Sequence, residues 1–488
     1  MLPDAATEPS VPDATPAGTA GGTTRDGTTG DGTTAAPRPG RWWRRRSAVL
    51  TTLLLLAVAA TAVAPWEWSF IDDGLQLTRL HANQAAHGWA GGALYSMSEA
   101  LGVDRTWGLF RPSWWVYAGT FYLLPVGAAH ALRLAAVLAA LAGVLVPLGQ
   151  RFAGTARVAV LVWAGAVLAA CGQVYAGVWY PSLQELSGLG LVGLGLLARR
   201  HPAVRALCWL LAAWFKAPFA WLLLAYGLVL LRQRQTRALG AGTTVLGLGT
   251  LAAAAVMARH GAYTSRLDFG LGTAHGNALL AAGALAGPMA VLLVGILVLR
   301  PQLDVAAQPL SPVLLAGGVG YLVNLLGWHT GSYYAGPYQY LLAAGVLAGV
   351  QEVRLPSRRY AAAGLAAVVL VAGGFAASTA RTGYHRLATV AGLRDCVLAL
   401  PAGSTIGYNR VEAWSRLDFI ARGRRPGWTS RIALIPARST TGFVWGAPGP
   451  VRLDYAIIEP GYESVAPSLT TGPVVCRTPD ATVYQVTS

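Results

Sequence analysis

The chain has 488 residues, 54% of them hydrophobic and only 12% charged, with a mean hydropathy of +0.47. Soluble domains carry about 25% charged residues, so this composition excludes an ordinary soluble protein and points to a polytopic α-helical membrane protein. The formal charge of +16 is no argument for a nucleic-acid partner, because the arginines fall in short clusters between apolar runs, the pattern that orients helices in a bilayer.

Residues 1–40 are rich in Gly, Thr, Pro, Ala and Asp and hold almost nothing to bury. They read as a disordered tail, and no apolar core follows closely enough on the N-terminus for a signal peptide. Arg41-Trp42-Trp43-Arg44-Arg45-Arg46 comes next, ahead of an apolar run over 47–64. Arginines in front of that run place the tail in the cytoplasm, and the tryptophans suit the interfacial belt. Phe70-Ile71-Asp72-Asp73-Gly74 then emerges on the outer side. Carboxylates so close to hydrocarbon are costly and mark a candidate functional site, unless they simply cap the helix that follows.

Further arginine groups at 151 and 157, 199–205, 232–237, 300 and 354–359 alternate with apolar stretches. Eleven membrane helices are expected, over about 47–64, 126–148, 156–171, 183–199, 203–215, 218–232, 238–257, 278–299, 311–327, 335–350 and 360–378. The fifth is short and could form half of a broken pair with the sixth. An odd count leaves the C-terminal segment outside. The long first outer loop, 65–125, is expected to hold two amphipathic helices, Leu75 to Ala86 and Leu94 to Leu101. Domains are therefore expected at 1–40 (tail), 41–378 (membrane) and 379–488 (a small extracytoplasmic α/β or α+β domain). In the last, Val397–Leu400, Thr405–Tyr408, Tyr455–Ile458 and Thr482–Val486 read as strands and Glu412–Ala421 as a helix. Cys396 and Cys476 lie on the oxidising side, where a disulfide could join them. There is no Cys-x-x-Cys or Cys/His cluster of the zinc-binding kind.

Polar residues in otherwise apolar surroundings gather on the outer side: Asp72, Asp73, Arg79, Arg111, His130, Glu185, Lys216, Arg259, Arg266 and His329. Lys216 is the only lysine in the protein, a usage that fits a GC-rich bacterial genome and makes its place between two apolar runs notable. Each has a plain alternative: snorkelling for Arg111 and Lys216, a helix-dipole partner for Glu185, an interfacial ring for His130. Together, acids and cations at one face suit sugar transfer from a lipid phosphate. A carboxylate takes the acceptor proton, and fixed positive charge meets the phosphate leaving group.

The order of these elements resembles the GT-C membrane glycosyltransferases, in particular the protein O-mannosyltransferase, TMTC and lipid A aminoarabinose transferase groups. Asp72-Asp73 is similar to their acidic pair in the first outer loop, and Phe110-Arg111-Pro112-Ser113 to their Arg-Pro or Lys-Pro element, with Ser113 in place of the usual Leu. His130 stands where they have a histidine at the head of the next helix. Pro181-Ser182-Leu183-Gln184-Glu185 is similar to their Pro-x-x-x-Glu, and Trp214-Phe215-Lys216-Ala217-Pro218 to a Lys-Gly-Pro element. The likeness is fullest over residues 60–220. It implies inverting transfer from a polyprenyl-phosphate sugar to an extracytoplasmic acceptor, glycan, lipid or protein, in a bacterial plasma membrane. Asp72 or Asp73 would be the base, Arg111 and Lys216 would hold phosphate, and Glu185, His130 and Arg79 would line the substrate site. Some relatives use a divalent metal, Mg or Mn, which Asp72 and Asp73 could bind. Three rival readings remain: a transporter or flippase for lipid-linked or envelope glycans, an O-antigen polymerase or ligase type of enzyme, and a receptor-like scaffold whose outer domain binds a partner. Internal repeats with paired broken helices would mark the transporter, and a large late outer loop the polymerase.

Overall fold

The structure, a computed structural model, describes residues 72–124, 126–172, 183–262, 268, 270–328, 330–331, 334–355, 358–409, 417, 429–435, 439–442, 449–462 and 467–487. Within these helices the side chains of Asp72, Asp73 and His130 lie outside the description. The expected first span (47–64), the helix over Glu412–Ala421, Arg266 and His329 also fall outside it, Leu417 apart.

The described residues form α1 (Asp72–Trp107), α2 (Pro112–Thr120), α3 (Val126–Arg151), α4 (Gly154–Ala170), α5 (Leu183–Leu197), α6 (Pro202–Phe215) and α7 (Ala220–Leu231). They continue through α8 (Arg237–His260), α9 (Leu271–Leu299), α10 (Leu310–Leu325), α11 (Ala335–Ala348) and α12 (Arg358–Ala399). Helices α3 to α12 coincide with ten of the eleven apolar spans read from the sequence. Among the described residues, three stretches, Ala131–Arg151, Arg234–His260 and Leu271–Leu299, are long and apolar enough to cross a membrane by length and composition. Others are shorter: α5, α6 and α7 have 15, 14 and 12 residues. At 1.5 Å per residue each is about 18–22 Å long, less than the ~30 Å hydrocarbon core.

Small residues let the helices meet. Gly190 and Gly193 on α5 lie against Ala136, Ala139 and Gly143 on α3, so closely that a Cβ at Gly193 would sit 2.1 Å from the Ala139 carbonyl oxygen. Apolar helices in lipid associate through such contacts, since burial from water gives them little. Trp209 of α6 donates its indole N–H to the Val192 carbonyl of α5 (3.1 Å), and Trp163 of α4 to Val291 of α9 (3.2 Å). The α3–α5–α6 crossing fixes where the first turn of α5 points.

Arginines converge at one end of this bundle. Arg151, ending α3, donates to the Ala348 carbonyl at the end of α11 (2.7 Å) and to Gln308 (3.0 Å). Arg199 reaches Gln150 (3.0 Å), and Arg205 donates to the Gly195 carbonyl near the end of α5 (2.9 Å). Helix C-termini leave carbonyls without intrahelical partners, and these guanidinium groups supply them. A two-stranded ribbon not expected from the sequence, β1 (Pro301–Leu303) antiparallel to β2 (Val350–Val353), closes the same end.

Two expectations are corrected. The amphipathic helices of the first loop are one hairpin in α1, broken at Gly88 (φ 74°, ψ 174°), and the second arm starts earlier and runs further than 94–101. Gly92 packs on the Gln84 backbone, and Asn83 donates to Ser96 (3.0 Å) and Glu99 (2.7 Å) across the arms. Val397–Leu400 is no strand, since 397–399 complete α12, which runs through the 378/379 boundary to Ala399. Leu393, Val397 and Leu400 follow helical spacing and bury one face against the sheet beyond, and Pro401 prevents continuation.

That sheet has the order β4-β3-β5-β7-β6, from β3 (Thr405–Tyr408), β4 (Arg431–Leu434), β5 (Tyr455–Ile458), β6 (Val474–Arg477) and β7 (Thr482–Gln485). β3 is parallel to both β4 and β5, and β7 is antiparallel to β5 and β6. Cys396 near the end of α12 and Cys476 on β6 form a disulfide.

Candidate functional site

At the bundle end opposite Arg151 and Arg199, four helix ends bring charged side chains together. Arg111 occupies the N-cap of α2, with Pro112 setting the first helical φ. Gly108 makes the preceding turn possible: its φ is 78°, and a Cβ there would sit 2.7 Å from the Met257 carbonyl oxygen of α8. Ser113, the residue that departs from the usual Leu, donates its hydroxyl to the Leu211 carbonyl of α6 (3.1 Å) and so ties α2 to the helix that ends at Lys216.

Lys216 is where α6 stops. Its backbone is extended (φ −149°, ψ 111°), and a single 3₁₀ turn, Ala217–Phe219, follows before α7. The expected broken pair is this interruption. The ammonium forms an ion pair with Glu185 in the first turn of α5 (2.6 Å) and lies 5.1 Å from the ring centroid of Tyr334. The Lys216 side chain is 20% exposed and that of Glu185 4%. Tyr321 of α10 is buried, its ring edge-on to that of Phe219, three residues beyond Lys216 (centroids 5.0 Å apart). Gln184, next to Glu185, accepts a hydrogen bond from Arg111 Nη1 (2.5 Å). Consecutive residues of one helical turn thus hold both cations.

Arg111 has a carboxylate of its own. Nε donates to Asp104 Oδ2 (3.0 Å), Nη2 pairs with Oδ1, and Trp115 Nε1 also donates to Oδ2 (2.8 Å). The Asp104 side chain is 0% exposed and that of Arg111 14%. A buried carboxylate persists only when paired and hydrogen-bonded, and here it has both. The Arg111 guanidinium also lies 5.7 Å from the Trp114 ring centroid.

The sequence-read residues therefore divide. Arg111, Glu185 and Lys216 come together in one frame. Arg79 is buried within the α1 hairpin, where burial lowers its guanidinium below the ordinary arginine range and the charge of Glu99 works against that. Asp72 and Asp73 open α1, and His130 lies in the first turns of α3. Asp104, Gln184, Tyr321 and Tyr334 were not singled out from the sequence. Asp104 carried one legible signal: it precedes Arg111 by seven residues, across a Gly turn. The described residues contain no cluster of three or more His, Cys, Asp or Glu that could hold a metal ion.

This arrangement of interrupted helices, the α1–α2 segment and a terminal sheet has a GT-C-like fold, similar to that of a solved membrane glycosyltransferase. The chain is similar to the crystal structure of apo ArnT from Cupriavidus metallidurans, a lipid A aminoarabinose transferase, with TM-score 0.50 and 15% identity over 91% of this chain and 98% of that one. A second structure of that enzyme, bound to undecaprenyl phosphate, aligns at TM-score 0.48 and 12% identity, covering 90% and 98%. No protein-family model matches the sequence, and no curated protein shows detectable sequence similarity.

Proposed function

We propose that this protein is a membrane glycosyltransferase that moves a sugar from a polyprenyl-phosphate donor to an extracytoplasmic acceptor, with inversion at the anomeric carbon. The observation that carries the reading is the frame of two cations: Arg111 and Lys216, from separate helix ends, are held by consecutive residues, Gln184 and Glu185. Such a frame matches what a phosphate leaving group needs, since charge develops on its oxygens as the glycosidic bond breaks. Asp72 or Asp73 acts as general base on the acceptor hydroxyl, approaching from the side opposite the phosphate. The arginine-rich end faces the cytoplasm by the positive-inside rule, which puts the cation frame and the C-terminal sheet outside the plasma membrane. The donor's polyprenyl chain stays in the bilayer while its phosphate enters at the interrupted helix pair, which supports an embedded enzyme over a soluble one.

The test is turnover by the purified protein in lipid nanodiscs, offered a panel of polyprenyl-phosphate and polyprenyl-diphosphate sugars. Slow hydrolysis of one donor, lost in the Asp72→Asn/Asp73→Asn double variant, is the expected result and would name the sugar. No turnover of any lipid-linked sugar by well-folded protein would move the reading to transport.

A further inference from the structure

The guanidinium of Arg111 is held on three of its atoms by two partners from different elements. Asp104, in the last turn of α1, takes Nε and Nη2, and Gln184, in the first turn of α5, takes Nη1. A planar group fixed at three nitrogens keeps both its plane and its direction, which a lysine ammonium could not do. Asp104 is held in turn: the indole of Trp115, one helical turn along from Arg111, donates to Oδ2, the oxygen that also accepts from Arg111 Nε. The connection extends to the second cation, because Glu185, next to Gln184, carries Lys216. The separation and mutual orientation of the two cations are therefore set by one turn of α5 and one fully buried carboxylate.

We propose that Asp104 is a positioning residue for donor binding. Resting on the reading that Arg111 meets the donor phosphate, it sets the guanidinium plane that the phosphate oxygens encounter, with Trp115 locking the carboxylate. Asp104 itself touches neither donor nor acceptor. This role gives a reason for an acidic side chain at a site with no solvent access: an apolar residue of similar size would remove the two hydrogen bonds through which Asp104 holds the plane of the Arg111 guanidinium. A serviceable arginine needs the fork, and the fork needs the acid.

The test uses the full chain in nanodiscs, with undecaprenyl phosphate as the probe. Its dissociation constant is read by native mass spectrometry, alongside the thermal midpoint. Asp104→Asn is expected to weaken binding about tenfold, and Arg111→Lys as much as Arg111→Ala, because lysine cannot make the bidentate contact. The Asp104→Asn/Arg111→Lys double variant is expected to bind no more weakly than Arg111→Lys alone, since both changes remove one orientation. A purely structural acid would instead lower the thermal midpoint while leaving the dissociation constant of the folded protein unchanged, or give effects that add, and either result would overturn the proposal. If Asp104→Asn does not fold, Trp115→Phe keeps both charges and removes only the indole donor. It is expected to weaken binding, by less than Asp104→Asn because the carboxylate keeps its two hydrogen bonds to Arg111, and unchanged binding would overturn the proposal. Failure of the unaltered protein to bind the probe would instead overturn the donor reading.

Discussion

The two ends of the α3–α5–α6 bundle use cations in opposite ways. At the arginine-rich end, Arg151, Arg199 and Arg205 donate to carbonyls and amide side chains, among them helix-end carbonyls that would otherwise go unsatisfied. At the other end, Arg111 and Lys216 are each matched with a carboxylate of under 5% exposure. A carbonyl partner satisfies a guanidinium without fixing much about its surroundings. A buried carboxylate costs desolvation and returns a defined geometry, an arrangement worth its cost where a ligand must be met in one orientation. The first end closes the bundle, and the second holds the cation frame on which the proposed donor site rests.

Mutation should separate the two. The largest effect belongs to the acidic pair: Asp72→Asn/Asp73→Asn should cut turnover by about 10³-fold or more with the protein still folded, the scale on which a general base contributes. Normal turnover in both single variants and the double would remove the pair from the mechanism. Next, Lys216→Met should lower kcat/KM for the lipid donor by about 10²-fold and destabilise by about 2–3 kcal/mol, because Glu185 is left buried without its partner. Adding Glu185→Gln to it should restore part of the stability, read by chemical unfolding, but none of the activity. That split would place Lys216 in binding and Glu185 in holding it. Arg151→Ala should do the reverse, losing about 2 kcal/mol of stability with its two hydrogen bonds while the KM for the donor stays put. A change in donor KM there would erase the distinction between the ends. Ser113→Ala, which breaks only the α2–α6 hydrogen bond to Leu211, should cost about 1 kcal/mol and alter turnover least.

Much of this frame was legible in the chain. Apolar runs between arginine groups placed ten described helices, because length and hydropathy decide such segments locally, although α9 starts earlier than expected, at Leu271, and α12 runs on to Ala399. Arg111, Glu185 and Lys216 stood out as charges in apolar stretches. Asp104 did not, because Gly102-Val103-Asp104-Arg105 falls in what reads as the first outer loop, where an acid is ordinary. Only its burial by α2 and the indole of Trp115 makes it unusual, and burial of that kind is a tertiary fact. Tyr321 and Tyr334 were hidden for the same reason among many interfacial aromatics. In the C-terminal region, three strands were visible as β-branched and aromatic runs. Val397–Leu400 misled because four consecutive apolar residues satisfy a buried strand and a helix face equally, and only the continuity of α12 decides between them.

The most direct measurement is equilibrium binding of a polyprenyl phosphate to the purified protein in nanodiscs, compared with its Lys216→Met variant. The account predicts saturable binding by the unaltered protein, weakened at least tenfold in the variant, as loss of a charge-assisted contact requires. Binding of equal strength in the two would contradict it, and would mean that the paired cations at this end of the bundle do not hold the donor.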